Sequence, residues 1–173
     1  MSFNSIPEFS FPLINNRDPD TITALKNALT THGFFTITDH GIDDDLLSAS
    51  YSMSKKFFEL EEATKNTYAH PEMGGARGYT PFGKETALGE TTPDMKEFWH
   101  HGPVTDDSFD TRITSNINVA ELPEFNSQFD GLFNDLNLLG MKVLSAIAVI
   151  LHKEPNFFDD WVSKGNSLLR LLH

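Results

Sequence analysis

The 173 residues carry 25 acidic against 13 basic side chains, a formal net charge of −12, and 39% hydrophobic residues that include fifteen phenylalanines. That apolar and aromatic content is enough for one full-sized domain with its own core and excludes a mainly disordered chain. The acidic surface argues against nucleic acid as a partner, and the absence of cysteine excludes disulfides, thiolate metal sites and a cysteine nucleophile.

Met1 to Ser5 lack a basic segment followed by an apolar one, so no secretion signal is expected. Ile6 to Pro12 alternates apolar and other residues around two prolines, which predicts a short edge strand. Asp18-Pro19-Asp20 predicts a helix start; Ile22, Leu25, Ala28 and Leu29 follow at helical spacing, and Gly33 supplies the stop. Phe34 to Thr38 then predicts a buried strand, and Asp39-His40-Gly41 a turn into the next helix. In that helix Leu47, Tyr51, Ser54 and Phe58 form the expected apolar stripe, with Leu46, Met53 and Phe57 beside it. Glu61, Glu62 and Lys65 predict a further short helical turn with an exposed charged face.

Five glycines between His70 and Pro93 predict a long irregular loop or loose hairpin, the kind of segment that often carries function. Met95 to His100 reads as a strand and His101 to Glu121 as loop. A long helix is expected from Pro123 to Leu151, about 43 Å at about 1.5 Å per residue, stopped by Pro155. Phe157, Phe158 and Trp161 predict a short amphipathic turn, and Ser167 to His173 the opening of a β-strand. The longest apolar-rich run, Val143 to Leu151, is about half of the roughly 20 residues a membrane span needs. The expectation is a soluble, cytoplasmic α+β protein with no membrane partner.

Seven histidines invite a search for a metal site. His70-Pro71-Glu72 and His152-Lys153-Glu154 have the spacing of a His-x-acid pair, but such triplets arise readily among 25 acids and read better as solvated polar residues. His100 and His101 are neighbours on a strand and should point to opposite faces. Gly74-Gly75-Ala76-Arg77-Gly78 is not a phosphate-binding loop, because no Gly-Lys-Ser/Thr and no strand–loop–helix context accompanies it. Arg77 and Tyr79 on that loop, and Arg170 inside an apolar strand, remain as candidate ligand-binding residues. Arg170 needs a carboxylate, a ligand or solvent to offset its desolvation, an ordinary salt bridge being the plainer alternative.

Several stretches, in order, resemble one family: Ile6-Pro7-x-Phe9-Ser10-Phe11-Pro12, Gly33-Phe34-Phe35-x-Ile37-x-Asp39-His40-Gly41-Ile42, Phe57-Phe58-x-Leu60 with Lys65, Arg77-Gly78-Tyr79, Met95-Lys96-Glu97-Phe98, and Leu168-x-Arg170-Leu171-x-His173. Together they resemble the N-terminal region of the isopenicillin-N-synthase-like 2-oxoglutarate/Fe(II) dioxygenases. The resemblance implies an N-terminal α/β segment and a long supporting helix ahead of a double-stranded β-helix, the jelly roll, which is incomplete in this chain. In those terms residues 1–121 form the N-terminal domain, 122–165 the supporting helix and short turn, and 166–173 the start of the jelly roll.

It also implies Fe(II) and 2-oxoglutarate as cofactors, a small-molecule substrate with O2, and oxidation of a C–H bond coupled to decarboxylation of 2-oxoglutarate to succinate. The iron ligands and the 2-oxoglutarate clamp of the family follow the Leu-Arg-Leu-x-His strand. No metal ligand or catalytic residue is therefore assigned here, and His173 is not one of the iron ligands. Arg77, Tyr79 and Arg170 correspond to substrate-facing positions. His40 becomes a structural turn residue. The alternative is a non-catalytic binding module that keeps the scaffold without the metal half. Substrate identity, hydroxylation versus desaturation or ring chemistry, the use of 2-oxoglutarate and oligomeric state are left open.

Overall fold

The computed structural model describes residues 5–86, 88–89 and 91–173, so the expectation for Met1 to Asn4 lies outside the described residues. The chain divides into two compact units, each assembled from separated stretches. One takes the described residues of Met1–Ile42 with Leu136–Ser163, the other Asp43–Asp135 with Lys164–His173.

In the first unit β1 (Glu8–Ser10) pairs in parallel with β2 (Thr36–Thr38), Phe9 opposite Ile37. A parallel pair needs a crossover, here α1 (Phe11–Asn15) and α2 (Pro19–Thr31). The expected edge strand is therefore cut short: Pro12 stands in the first turn of α1, where a missing N–H leaves no bond unmade. Asp18 caps α2 by accepting from the Thr21 amide and hydroxyl at 2.9 and 2.8 Å. Ile14, Leu25 and Ala146 form the buried centre, with Phe9, Phe35 and Ile37 packed against it.

Phe34 departs from expectation, being 55% exposed. Neighbours entering a strand face opposite sides, so only Phe35 reaches the core, edge-on to Phe9 at 5.8 Å. At the following turn the His40 Nδ1 accepts from the Ile42 amide at 3.1 Å. The short helix α6 (Asp159–Val162) stands where the aromatic turn was expected.

In the second unit α3 (Asp44–Phe58) is capped by Asp43, which accepts from the Leu46 amide. Its buried residues are Ser50, Met53, Phe57 and Phe58, whereas Tyr51 is 79% exposed. Two stripes at helical spacing compete here, and packing of Phe57 on Trp99, ring centroids 4.9 Å apart, turns the helix toward the other one. The short helix α4 (Glu62–Asn66) follows, and its Lys65 is buried, not on an exposed charged face.

Strands β3 (Gly78–Thr80), β4 (Phe98–His101) and β5 (Leu169–Leu172) make an antiparallel sheet in the order β3-β4-β5. Tyr79 lies opposite Trp99 and Trp99 opposite Leu171. The glycine-rich segment thus contributes a strand as well as loop. β4 starts later than expected because Met95 is 88% exposed and its strand ladder begins at Phe98.

Helix α5 (Phe125–Ile150) runs 26 residues, about 39 Å. It belongs to the second unit as far as Asp135 and to the first from Leu136. With a mean hydropathy of 1.4 over its most apolar window it is long and apolar enough to cross a membrane. The apolar run taken alone did not show this. Core helices of soluble proteins have the same length and composition; 17% of that window is buried, and Phe125 and Phe129 of this helix are fully buried.

Candidate functional site

Alternation along the sheet of the second unit sorts its side chains into two sets. Tyr79, Glu97, Trp99, Leu171 and His173 share one face; Phe98, His100 and Arg170 share the other. The three residues expected to bind substrate are therefore not brought together: Tyr79 and Arg170 lie on opposite faces.

On the first face Glu97, 1% exposed, is the hub of a buried polar cluster. Its Oε2 accepts from Lys65 Nζ at 2.7 Å and from the Tyr79 hydroxyl, and its Oε1 meets His173 Nδ1 at 2.8 Å. Lys65 also donates to the Phe58 carbonyl at 3.1 Å, and the His173 ring stacks on Phe58. Burial pushes Glu97 toward protonation, but the bonds from Lys65, Tyr79 and His173 outweigh it and hold the carboxyl below its ordinary range. Burial, then the bond to Glu97, pushes the Tyr79 phenol well above its ordinary value. This hydroxyl is committed to the protein.

Arg77, 1% exposed, packs its guanidinium on the backbone of Gly102, where a Cβ would come within 2.2 Å of Cζ. Its Nη1 donates to the Ala76 carbonyl, whereas Nε and Nη2 have no partner among the described residues. Burial lowers its pKa from the ordinary guanidinium value. Nearby, the buried His101 donates from Nε2 to Asp130 at 2.7 Å. Asn116 brackets Gly102, accepting from its amide and donating to its carbonyl. Burial is the leading influence on His101 and lowers its pKa despite Asp130.

On the opposite face Arg170 is partly exposed. Its Nε donates to His100 Nε2 at 2.7 Å, its guanidinium lies 4.1 Å over the Phe98 ring, and Nη2 is 3.5 Å from Glu85. The plain salt-bridge alternative is thus present, to Glu85, alongside the bond to His100. His100, turned away from His101 as expected, holds the Gly75 carbonyl with Nδ1 at 2.6 Å. Sequence reasoning missed Lys65, Glu97 and His100 as members of these clusters. The one available signal was a glutamate and a histidine in and beside an apolar strand, Glu97 and His100; Lys65 patterns as exposed and gave none.

Of the two His-x-acid triplets, His70 and Glu72 pair with each other at 2.7 Å at the surface. Among the described residues no group of three His, Asp or Glu side chains is placed to hold a metal ion. The described residues do not by themselves fit an iron centre.

Mixed helix and sheet of this arrangement recurs in 2-oxoglutarate–Fe(II) oxygenases of known structure. An oxygenase family protein of Caulobacter crescentus is similar over 97% of this chain and 55% of its own, at 38% identity and a TM-score of 0.79. A full-length Neurospora crassa protein, solved in complex with α-ketoglutarate, is similar over 96% of this chain and 53% of its own, at 28% identity and a TM-score of 0.80. The chain belongs to the family described as "non-haem dioxygenase in morphine synthesis N-terminal", whose model matches residues 6–121. Among curated relatives, a 2-oxoglutarate-dependent dioxygenase of Didymella fabae is 29% identical over 88% of this chain and 49% of its own length. The chain spans about half the length of the curated relatives it matches. The resemblance read from the ordered motifs is the family it belongs to.

Proposed function

We propose that this chain is the N-terminal part of a non-haem Fe(II)/2-oxoglutarate-dependent oxygenase that oxidises a small-molecule C–H bond while 2-oxoglutarate is converted to succinate and CO2. The observation that carries the reading is the family match over residues 6–121, supported by the 2-oxoglutarate-dependent relatives that cover nearly the whole chain. In this reading β5 opens the jelly roll, and the iron and 2-oxoglutarate ligands come from the part of the relatives' length that this chain does not span. Arg170, the accessible cation on the face opposite the Glu97 cluster, faces the substrate. Arg77 is a second candidate, since its Nε and Nη2 have no hydrogen-bond partner among the described residues. Tyr79 serves Glu97 instead of a ligand.

The test is succinate formation from 2-oxoglutarate with Fe(II) and O2. The 173-residue chain alone should give none, and the full-length protein should give stoichiometric succinate once its substrate is supplied. Robust turnover by the isolated chain would overturn the division of labour. A full-length protein that neither binds 2-oxoglutarate nor forms succinate would favour a binding module.

A further inference from the structure

Arg170 is not held as an ordinary surface arginine. The acceptor of its Nε–H is the Nε2 of His100, so that nitrogen carries a lone pair and the ring proton sits on Nδ1, donated to the Gly75 carbonyl. The imidazole is thereby fixed in one neutral tautomer, 6% exposed, while Phe98 supports the guanidinium from below at 4.1 Å. One edge and one face of the cation are fixed, while the side chain stays 40% exposed and Nη2 stands at the loose distance of 3.5 Å from Glu85. A carboxylate in place of His100 would also fix Nε, but it would cancel the charge the outer edge needs to attract an acceptor. A neutral imidazole orients without neutralising.

We infer that His100 is a positioning residue that aims the Arg170 fork at a planar, oxygen-bearing edge of the substrate, a carboxylate or an imide carbonyl. This rests on the reading above that Arg170 faces the substrate. The physical gain is preorganisation: a flexible side chain ordered before binding does not have to be ordered at the moment of binding. Protonation would turn the Nε2 acceptor into a donor facing another donor, so the arrangement holds only while His100 is neutral. The groups facing it are Arg170 from β5, Phe98 on β4 with ring centroids 4.8 Å away, Gly75 and Glu85 from the glycine-rich segment, and Arg77 ahead of β3. Burial first, then the two arginines, keep the ring neutral below its ordinary pKa of 6.5, against the opposing pull of Gly75 and Glu85.

The experiment uses the full-length protein, with thymine as the imide probe and benzoate as the carboxylate probe, in calorimetric titrations at pH 7.5. His100→Phe keeps a ring beside Phe98 but removes the acceptor and should weaken binding of the recognised probe by about tenfold, the scale of one charge-assisted hydrogen bond. His100→Gln, which returns an oxygen acceptor near Nε2, should recover most of it. Arg170→Ala should weaken binding at least as much, and adding His100→Phe to it should do nothing further. In wild-type protein, affinity should fall as pH drops through the His100 titration, followed by its own imidazole 15N resonances. Those resonances should show Nδ1 protonated at pH 7.5.

If Arg170→Ala weakens binding while His100→Phe does not, or the two effects add, the positioning role is overturned and the substrate-facing reading survives. If Arg170→Ala leaves a bound probe unaffected, that underlying reading itself fails. If neither probe binds the wild-type protein, the proposed ligand class is wrong. Should His100→Phe fail to fold, the wild-type pH series decides: affinity unchanged while His100 protonates overturns the proposal.

Discussion

Glu97 is buried with Lys65 and Tyr79, the exposed His173 closing the cluster at its rim, so most of its charge has to be matched by the protein. Because the folded carboxyl is held below its ordinary value of 4.5, its contribution to stability is complete above that value. It is lost as pH falls through the lower folded pKa. Glu97→Gln would leave Lys65 charged and buried, at a cost of about 3 kcal/mol near neutrality. Urea unfolding at pH 7 and pH 3 checks this: the gap between wild type and variant should narrow at the lower pH, and an equal gap would refute it. The sequence exposed the cluster poorly. Lys65 reads naturally as partner to Glu61 and Glu62 one turn away, whereas its true partner is 32 residues on. Arg170 was more legible, because a cation among leucines must be compensated by something. That its compensation is a histidine could not be read, since the β4–β5 register decides it.

Elements with local signals are the ones the sequence describes well. The Asp18 helix start, Pro155 beyond α5 and the turn at His40 all act within a few residues, and all appear as read. Strand limits and helix rotation depend on distant partners, which is why β1 is short, Phe34 faces outward and α3 turns its other stripe inward. The start of β3 shows how sharply tertiary neighbours constrain one position. Gly78 has φ of +80°, and a Cβ there would lie 2.6 Å from the Tyr68 carbonyl oxygen and 2.7 Å from Ile117 Cδ1. Gly78→Ala therefore adds backbone strain to a clash with backbone and should cost about 2–3 kcal/mol or more. Thermal unfolding measures it, and a variant within about 0.5 kcal/mol of wild type would show that the turn relaxes freely.

At the scale of the whole molecule, division of the chain by sequence order, 1–121, 122–165 and 166–173, differs from the grouping by contact. Both compact units are discontinuous, and α5 supplies residues to each. Local composition carries no record of which distant stretches close a unit, so this grouping was beyond sequence reading. The sheet of the second unit has the same character in time as in space. Glu97 and His173 exchange backbone hydrogen bonds in both directions at 3.0 and 2.9 Å although they are 76 residues apart. Closing so large a loop costs roughly 4 kcal/mol of chain entropy before any bond is returned, whereas α5, inside that loop, forms through neighbours on a microsecond scale. The seam should therefore be laid down after the rate-limiting barrier. Leu171→Ala, at a buried β5 position, should leave the refolding limb of a stopped-flow chevron nearly unchanged and steepen loss through faster unfolding. A slower refolding limb would mean that the seam belongs to the nucleus. On this account the β4–β5 pairing governs how long the native protein lasts, not how fast it is made.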